Sequence, residues 1–248
     1  MAYDAYEELI ARTYDAVYAR LRDPSGDVAF YLALARETGG PILELGCGTG
    51  RILLPIARAG IACVGLDASP AMLRVFREKG PPDDVALLLG DMRRFALGAG
   101  RFRLITAPFR ALSHVLEVAD QLACLDCVRR HLAPGGVFAF DVFDPKLEIV
   151  AQGELPEHIG AEFEYDGRAM RRWESVRFDL SRQVLTVAFR FEGGPPEVTG
   201  TAEVQMRWFY RYELEHLLAR AGFTDVRFLG GFERRPWTAG AETIVLAQ

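Results

Sequence analysis

Between residues 42 and 143 the chain alternates short, uninterrupted apolar runs with helical patterns, and no other feature restricts its fold as tightly. The runs at 42–45, 61–66, 85–89, 102–107 and 137–143 are apolar almost throughout, and helical patterns lie over 51–59, 70–79 and 118–132. A strand that is apolar on both faces needs cover on both faces, and parallel neighbours need a crossover between them. The expected core is therefore α/β, a doubly wound and mostly parallel sheet.

The flanks follow other periods. Tyr3, Tyr6, Leu9, Ile10, Tyr14, Val17, Tyr18 and Leu21 recur at spacings of three and four, which predicts an amphipathic helix over 3–21. After Asp23-Pro24-Ser25-Gly26 a second helical pattern runs over 27–37 and ends at Thr38-Gly39-Gly40-Pro41. Residues 1–40 thus read as two cover helices. Over 160–209 the period becomes two, through Leu185, Val187, Phe189 and Phe191 and then Val198, Ala202, Val204, Met206 and Trp208. That pattern predicts an antiparallel meander, with 171–180 joined through Ser181-Arg182 and the last two strands joined through Gly193-Gly194-Pro195-Pro196. A meander cannot bury both faces unaided, so lid and homodimer interface are both compatible with it. A helix over 210–221 and strands at 226–229 and 243–246 complete one domain spanning 1–248.

Composition narrows the function. Half of the 248 residues are hydrophobic and 25% are charged, as in an ordinary globular protein. Lys and Arg total 29 against 34 Asp and Glu, a net charge of −5, so no basic field gathers phosphates and nucleic acid is not an expected partner. Asp4, Glu7, Glu8, Arg12, Asp15 and Arg20 make the opening segment unlike a secretory leader, and no run of 18 apolar residues follows. No membrane partner is expected, and the expected compartment is the cytoplasm. Cys124 and Cys127 form one CxxC without a second pair, a weak metal signal, and Cys47 and Cys63 lie in or beside apolar runs as small hydrophobes.

The chemistry concentrates at strand ends. Glu44-Leu45-Gly46-Cys47-Gly48-Thr49-Gly50 opens the first strand-to-helix turn, where an open α/β sheet binds ligands. Its spacing is GxGxG, and Arg51 follows directly, which argues against the GxGxxG of nicotinamide cofactors. Asp67 ends the second strand, where a carboxylate accepts ribose hydroxyls, and Asp91 follows the third. Glycine loop and acids together describe a nucleoside-shaped site.

These motifs resemble those of the class I S-adenosylmethionine-dependent methyltransferases, through ELGCGTG at 44–50, GLDAS at 65–69 with Met72, GDM at 90–92 and LAPGG at 132–136. The resemblance implies a seven-stranded Rossmann-like sheet with an antiparallel last strand and S-adenosylmethionine as cofactor. It assigns the loop around Gly46 and Gly48 to the methionine part, Asp67 to the ribose, and Met72, Asp91 and Met92 to the adenine, with Glu44, Cys47, Gly50 and Ala68 among the cofactor contacts.

The acceptor is less legible, because methyl transfer is an in-line displacement that needs mainly positioning. The fourth strand ends in Thr106-Ala107-Pro108-Phe109, with one proline and one aromatic residue of the pattern that holds planar amines. It also lacks the acid of metal-dependent relatives, and Asp141 and Asp144 do not suffice for a metal site. The arrangement is similar to amino-sugar and glycine or sarcosine N-methyltransferases, which by resemblance places His114 and Tyr14 at the substrate as candidate catalytic residues. Phe109, Arg110 and Trp208 are the expected acceptor contacts, with Arg110 and Arg172 available for an acidic group. The expectation is a metal-independent methyltransferase acting on a small-molecule amine; the alternatives are a hydroxyl acceptor or a non-catalytic cofactor-binding protein.

Overall fold

The computed structural model describes residues 2–22, 26–239 and 242–248. Helices α1 (Ala2–Arg22) and α2 (Asp27–Thr38) precede β1 (Ile42–Leu45), α3 (Leu53–Arg58), β2 (Cys63–Asp67), α4 (Pro70–Glu78), β3 (Ala86–Leu89) and β4 (Phe102–Ala107). Then come α5 (Val118–His131), β5 (Leu132–Phe143), a single turn α6 (Leu147–Val150), and the strands β6 (Glu154–Tyr165), β7 (Arg168–Asp179), β8 (Val184–Glu192) and β9 (Gly200–Arg207). Helix α7 (Arg211–Arg220) leads into β10 (Val226–Gly230), the two-residue β11 (Arg235–Pro236) and β12 (Glu242–Ala247).

The main sheet has the order β11-β10-β12-β5-β4-β1-β2-β3. β1 to β5 are parallel, and β12 runs antiparallel between β5 and β10, as the resemblance implies. The short β11 adds an eighth strand at one edge. Side chains alternate between two cores. Leu43, Leu45, Ile105, Phe138 and Phe140 meet α5 and α7 on one face, and Ile42, Leu104, Ala139 and Ile244 meet α2, α3 and α4 on the other. Burying each such large side chain contributes roughly 1.5–3 kcal/mol.

The meander is longer than its sequence pattern. Strand β6 starts at residue 154, and its register with β7 shifts twice, between Leu155 and His158 and between Ile159 and Ala161. Those irregularities break the period-two signal and hide the first half of the strand. The resulting four-stranded sheet lays its apolar face on α1, where Leu9 and Val17 pack with Phe163, Met170, Phe191 and Val198. The side chains of Tyr3, Tyr6 and Leu21 and the turn residues Asp23, Pro24 and Ser25 lie outside the described residues.

Both cysteine readings resolve in the structure. Cys124 and Cys127 are buried on α5; burial pushes the Cys124 thiol up to about 12, and Cys127 Sγ donates to the Arg93 carbonyl at 3.3 Å. Cys47 and Cys63 are buried as well.

Candidate active site

The C-terminal ends of β1, β2 and β4 meet α1 through Thr49, Ser69 and Phe109, with the end of β3 beside them in the sheet. Gly46, Gly48 and Gly50 all have positive φ, at 69°, 53° and 82°. At Gly46 an added Cβ would stand 3.0 Å from Ala111 Cβ and 3.7 Å from Met92 Cε, so the first turn of the loop lies between the segment after β4 and the segment after β3. Gly50 answers to packing: a Cβ there would meet the Phe76 ring at 2.4 Å. Cys47 turns its buried sulfur toward Gly65 of β2, so only its backbone is available to a ligand in the loop.

Asp67 joins two loops. Its Oδ2 accepts from Gly48 N at 2.7 Å and its Oδ1 from Ser69 N at 2.8 Å. Burial raises its carboxyl above the usual range, while the Ser69 and Gly48 amides oppose the rise. Ser69 also caps α4 by accepting from Met72 N, with Pro70 at the first helical position, so the segment after GLDAS is a helix start that places Met72 on the first turn. Ala68 is exposed between them. Asp91 stands after β3 with both oxygens engaged by Arg93, whose guanidinium also reaches Asp120 at 2.6 Å, and this pairing holds the Asp91 carboxyl below its usual range. Glu44 is 1% exposed, its Oε2 has no partner among the described residues, and burial raises its carboxyl well above the carboxylate range.

Helix α1 is fastened along this edge by contacts the sequence did not reveal. Ser69 Oγ donates to Glu7 at 3.1 Å, Thr49 Oγ1 donates to Asp15 at 2.7 Å, and Lys79 Nζ reaches both the Thr49 carbonyl at 2.7 Å and Asp15. Arg51, which in the sequence served only to exclude a nicotinamide loop, is a half-buried strut. It donates twice to Asp27 at the start of α2, at 2.9 and 2.8 Å, and lies 5.0 Å from the centre of the Phe109 ring. Only the position of Arg51 directly after the glycine loop hinted at this.

After β4, the Tyr18 and Phe109 rings pack edge to face at 4.9 Å, and Tyr14 packs on both. Burial raises the Tyr14 phenol well above its ordinary value, so it remains a neutral hydroxyl. His114 closes a short 3-10 turn, Ala111–His114, against which β9 packs. The residue is exposed to solvent. Desolvation by the surrounding protein lowers the imidazole below its ordinary 6.5, and the nearby Gln205 backbone opposes that shift.

Two of the expected acceptor contacts have partners within the fold. Trp208 is 2% exposed, packed with Val150, Leu185 and Val187 inside the meander's second core, because the chain turns inward before α7. Arg110 donates to Glu242 through Nε and Nη2, both at 3.2 Å, and stacks on Phe143, so its charge is matched within the fold. Arg172 is likewise buried, bonded to Tyr18 and Glu174 and sandwiched between the Tyr18 and Phe189 rings. Asp141, weighed in the sequence only as a metal ligand, accepts from Phe109 N and Tyr31 Oη, both at 2.8 Å.

Residues 42–136 match the methyltransferase domain family. Over nearly its whole length the chain is 32% identical to a cypemycin N-terminal methyltransferase from a Streptomyces species, across 253 residues that cover 97% of this chain and 96% of that one. The chain is a class I S-adenosylmethionine-dependent methyltransferase. A shorter stretch of 136 residues, 53% of this chain and 52% of the relative, is 34% identical to a dTDP-3-amino-3,6-dideoxy-alpha-D-glucopyranose N,N-dimethyltransferase from Streptomyces fradiae. Among solved structures, the CcbJ methyltransferase from Streptomyces caelestis superposes with a TM-score of 0.74 at 26% identity, over 90% of this chain and 94% of that one. This methyltransferase takes S-adenosylmethionine as its cofactor, and its strand ends fit that molecule. The loop at Gly48 leaves open space for close backbone approach, and Glu44 Oε2, unpaired among the described residues, suits an ammonium. No helix among the described residues is long and apolar enough to cross a membrane.

Proposed function

We propose that the protein methylates the nitrogen of an aliphatic amine on a small polar molecule or at a peptide terminus, with His114 as the proton acceptor. The observation that carries this reading is the place of His114 at the end of a turn whose first residue, Ala111, stands against Gly46 of the glycine loop, with an imidazole lowered below its ordinary value by the surrounding protein. An alkylammonium has no lone pair to attack with, so it must lose a proton first, and a neutral imidazole at pH 7 can accept it. The names of the two relatives, an N-terminal and an amino-sugar N-methyltransferase, point to the same atom type.

In this reading Glu44 and the loop at Gly46 to Gly48 hold the amino-acid tail of the cofactor, Asp67 and Ala68 its ribose, and Asp91, Met72 and Met92 its adenine. The cofactor supplies an electrophilic methyl group on a sulfonium. Phe109, Tyr14 and Tyr18 exclude water from the acceptor side, and the Tyr14 hydroxyl orients the substrate without giving up its proton. The β6–β9 sheet serves as a lid, a role supported by its packing on α1 and on the His114 turn.

The test is a panel of matched pairs, in which amino sugars and short peptides with free N-termini are compared with their hydroxyl analogues, read by mass spectrometry. Methylation of the amines with none of the hydroxyl partners supports the proposal; methylation of the hydroxyl partners instead would move the enzyme to O-transfer.

A further inference from the structure

The turn that carries the acceptor-side residues is held in a shape it would not adopt alone. Phe109 and Arg110 are consecutive non-glycine residues with left-handed backbone, at φ 54° and 63°. Such conformations persist only where the surroundings over-determine them. Two acids from the middle of the sheet do so here. Asp141, fully buried on β5, accepts from the backbone N–H groups of both strained residues, Phe109 at 2.8 Å and Arg110 at 3.2 Å, and also from the Tyr31 hydroxyl at 2.8 Å. Glu242, at the start of β12, takes the Arg110 guanidinium in a two-point pair, and that guanidinium lies 4.9 Å from the centre of the Phe143 ring.

The antiparallel register brings these groups together. Glu242 stands opposite Phe143 and Ile244 opposite Asp141, so the strand inserted against the direction of its neighbours delivers a carboxylate to the turn after β4. Directly beyond the turn come Ala111 to His114, with Ser113 N bonded back to the Arg110 carbonyl at 2.8 Å. Phe109 itself faces Tyr14, Tyr18 and Arg51. A relaxation of the two left-handed residues would therefore displace Phe109 and His114 together, while the Asp67 hydrogen bonds to Gly48 N and Ser69 N, away from this turn, hold the ribose side of the glycine loop.

We propose that Asp141 and Glu242 form a clamp that positions the acceptor side of the active site, setting the location of His114 and Phe109 without touching cofactor or substrate. The inference rests on the proposed role of His114 only for its effect on turnover.

The test uses Asp141→Asn and Glu242→Gln in the full chain. Asparagine keeps the shape but turns an NH2 toward at least one of the donors that the carboxylate serves. Three quantities are read: S-adenosylhomocysteine affinity by calorimetry, the His114 Cε1–H resonance and its titration midpoint by NMR, assigned with His114→Ala, and methyl transfer to the amine found with the panel. For Asp141→Asn the clamp requires affinity within about threefold of wild type, a displaced His114 resonance with its midpoint raised toward 6.5, and turnover reduced at least tenfold with a smaller change in acceptor KM. Glu242→Gln shifts the same resonance in the same direction by less, and it carries the test if Asp141→Asn does not fold. An unmoved His114 resonance overturns the clamp, as does a loss of cofactor affinity that parallels the loss of turnover. Should His114→Ala keep full turnover while Asp141→Asn still moves the resonance, the base assignment fails and the clamp stands.

Discussion

Glu44→Gln separates what the fold wants from what the cofactor wants. Glu44 is buried on β1 with Oε2 unpaired, and burial raises its carboxyl well above its ordinary 4.5. A group whose folded value exceeds its unfolded one binds more protons in the native state, so wild-type stability falls as pH rises from 4.5 toward that folded value. Each pH unit costs 1.36 kcal/mol, which sets a ceiling of about 3.4 kcal/mol at pH 7, and the usual penalty for an unsatisfied buried group is about 1–3 kcal/mol. Glutamine has the same shape and no proton to lose. Arg51 is not orphaned by the change, because Asp27 still holds both terminal nitrogens. At roughly 2–4 °C per kcal/mol for a chain of this size, the cofactor-free variant should melt about 2–12 °C above wild type at pH 7, with no advantage near pH 4.5. Its affinity for S-adenosylhomocysteine should fall about tenfold to a hundredfold, as for a lost charge-assisted hydrogen bond worth about 1.5–3 kcal/mol. Thermal melts from pH 4.5 to 8 and calorimetry check both halves. A variant that melts at or below wild type at pH 7 with an unchanged pH slope, or that binds as tightly, refutes the reasoning.

Three other substitutions probe separate parts of the site. Asp67→Ala removes the acceptor for Gly48 and Ser69 and should weaken cofactor binding by about 1–3 kcal/mol; equal calorimetric affinity contradicts the assignment. His114→Ala should lower turnover more than cofactor affinity, and in wild type the acid limb of the rate should fall below pH 6.5, because burial favours the neutral ring; a limb centred above 6.5 contradicts that environment. Gly50→Ala drives a Cβ into the Phe76 ring at positive φ, so overpacking of about 1–3 kcal/mol and backbone strain of about 1–2 kcal/mol should add, seen as a lower melting temperature; an unchanged melt removes the close approach.

The cofactor half of this site was legible because its signals are local. A glycine loop, an acid at a strand end, and Ser69-Pro70 starting a helix each show in a few consecutive residues, and β1 to β5 announced themselves through apolar runs. The acceptor half depends on groups distant in sequence. Nothing near Asp141 says that its carboxylate will anchor the backbone of Phe109, and nothing near Trp208 says that the chain turns it into the meander's core. Arg110 looked free for a substrate because its partner, Glu242, arrives 132 residues later from a strand whose antiparallel direction came only from resemblance. The first half of β6 was hidden for a different reason, since its register shifts erase the alternation that marks a strand.

The central claim is that the strand ends at Gly46 and Asp67 form an S-adenosylmethionine site, and calorimetric titration of the wild-type protein tests it most directly. The account predicts saturable one-to-one binding of both S-adenosylmethionine and S-adenosylhomocysteine, and none of NAD at the same concentrations. Absence of heat with both sulfur compounds, or saturable binding of NAD in their place, would contradict it.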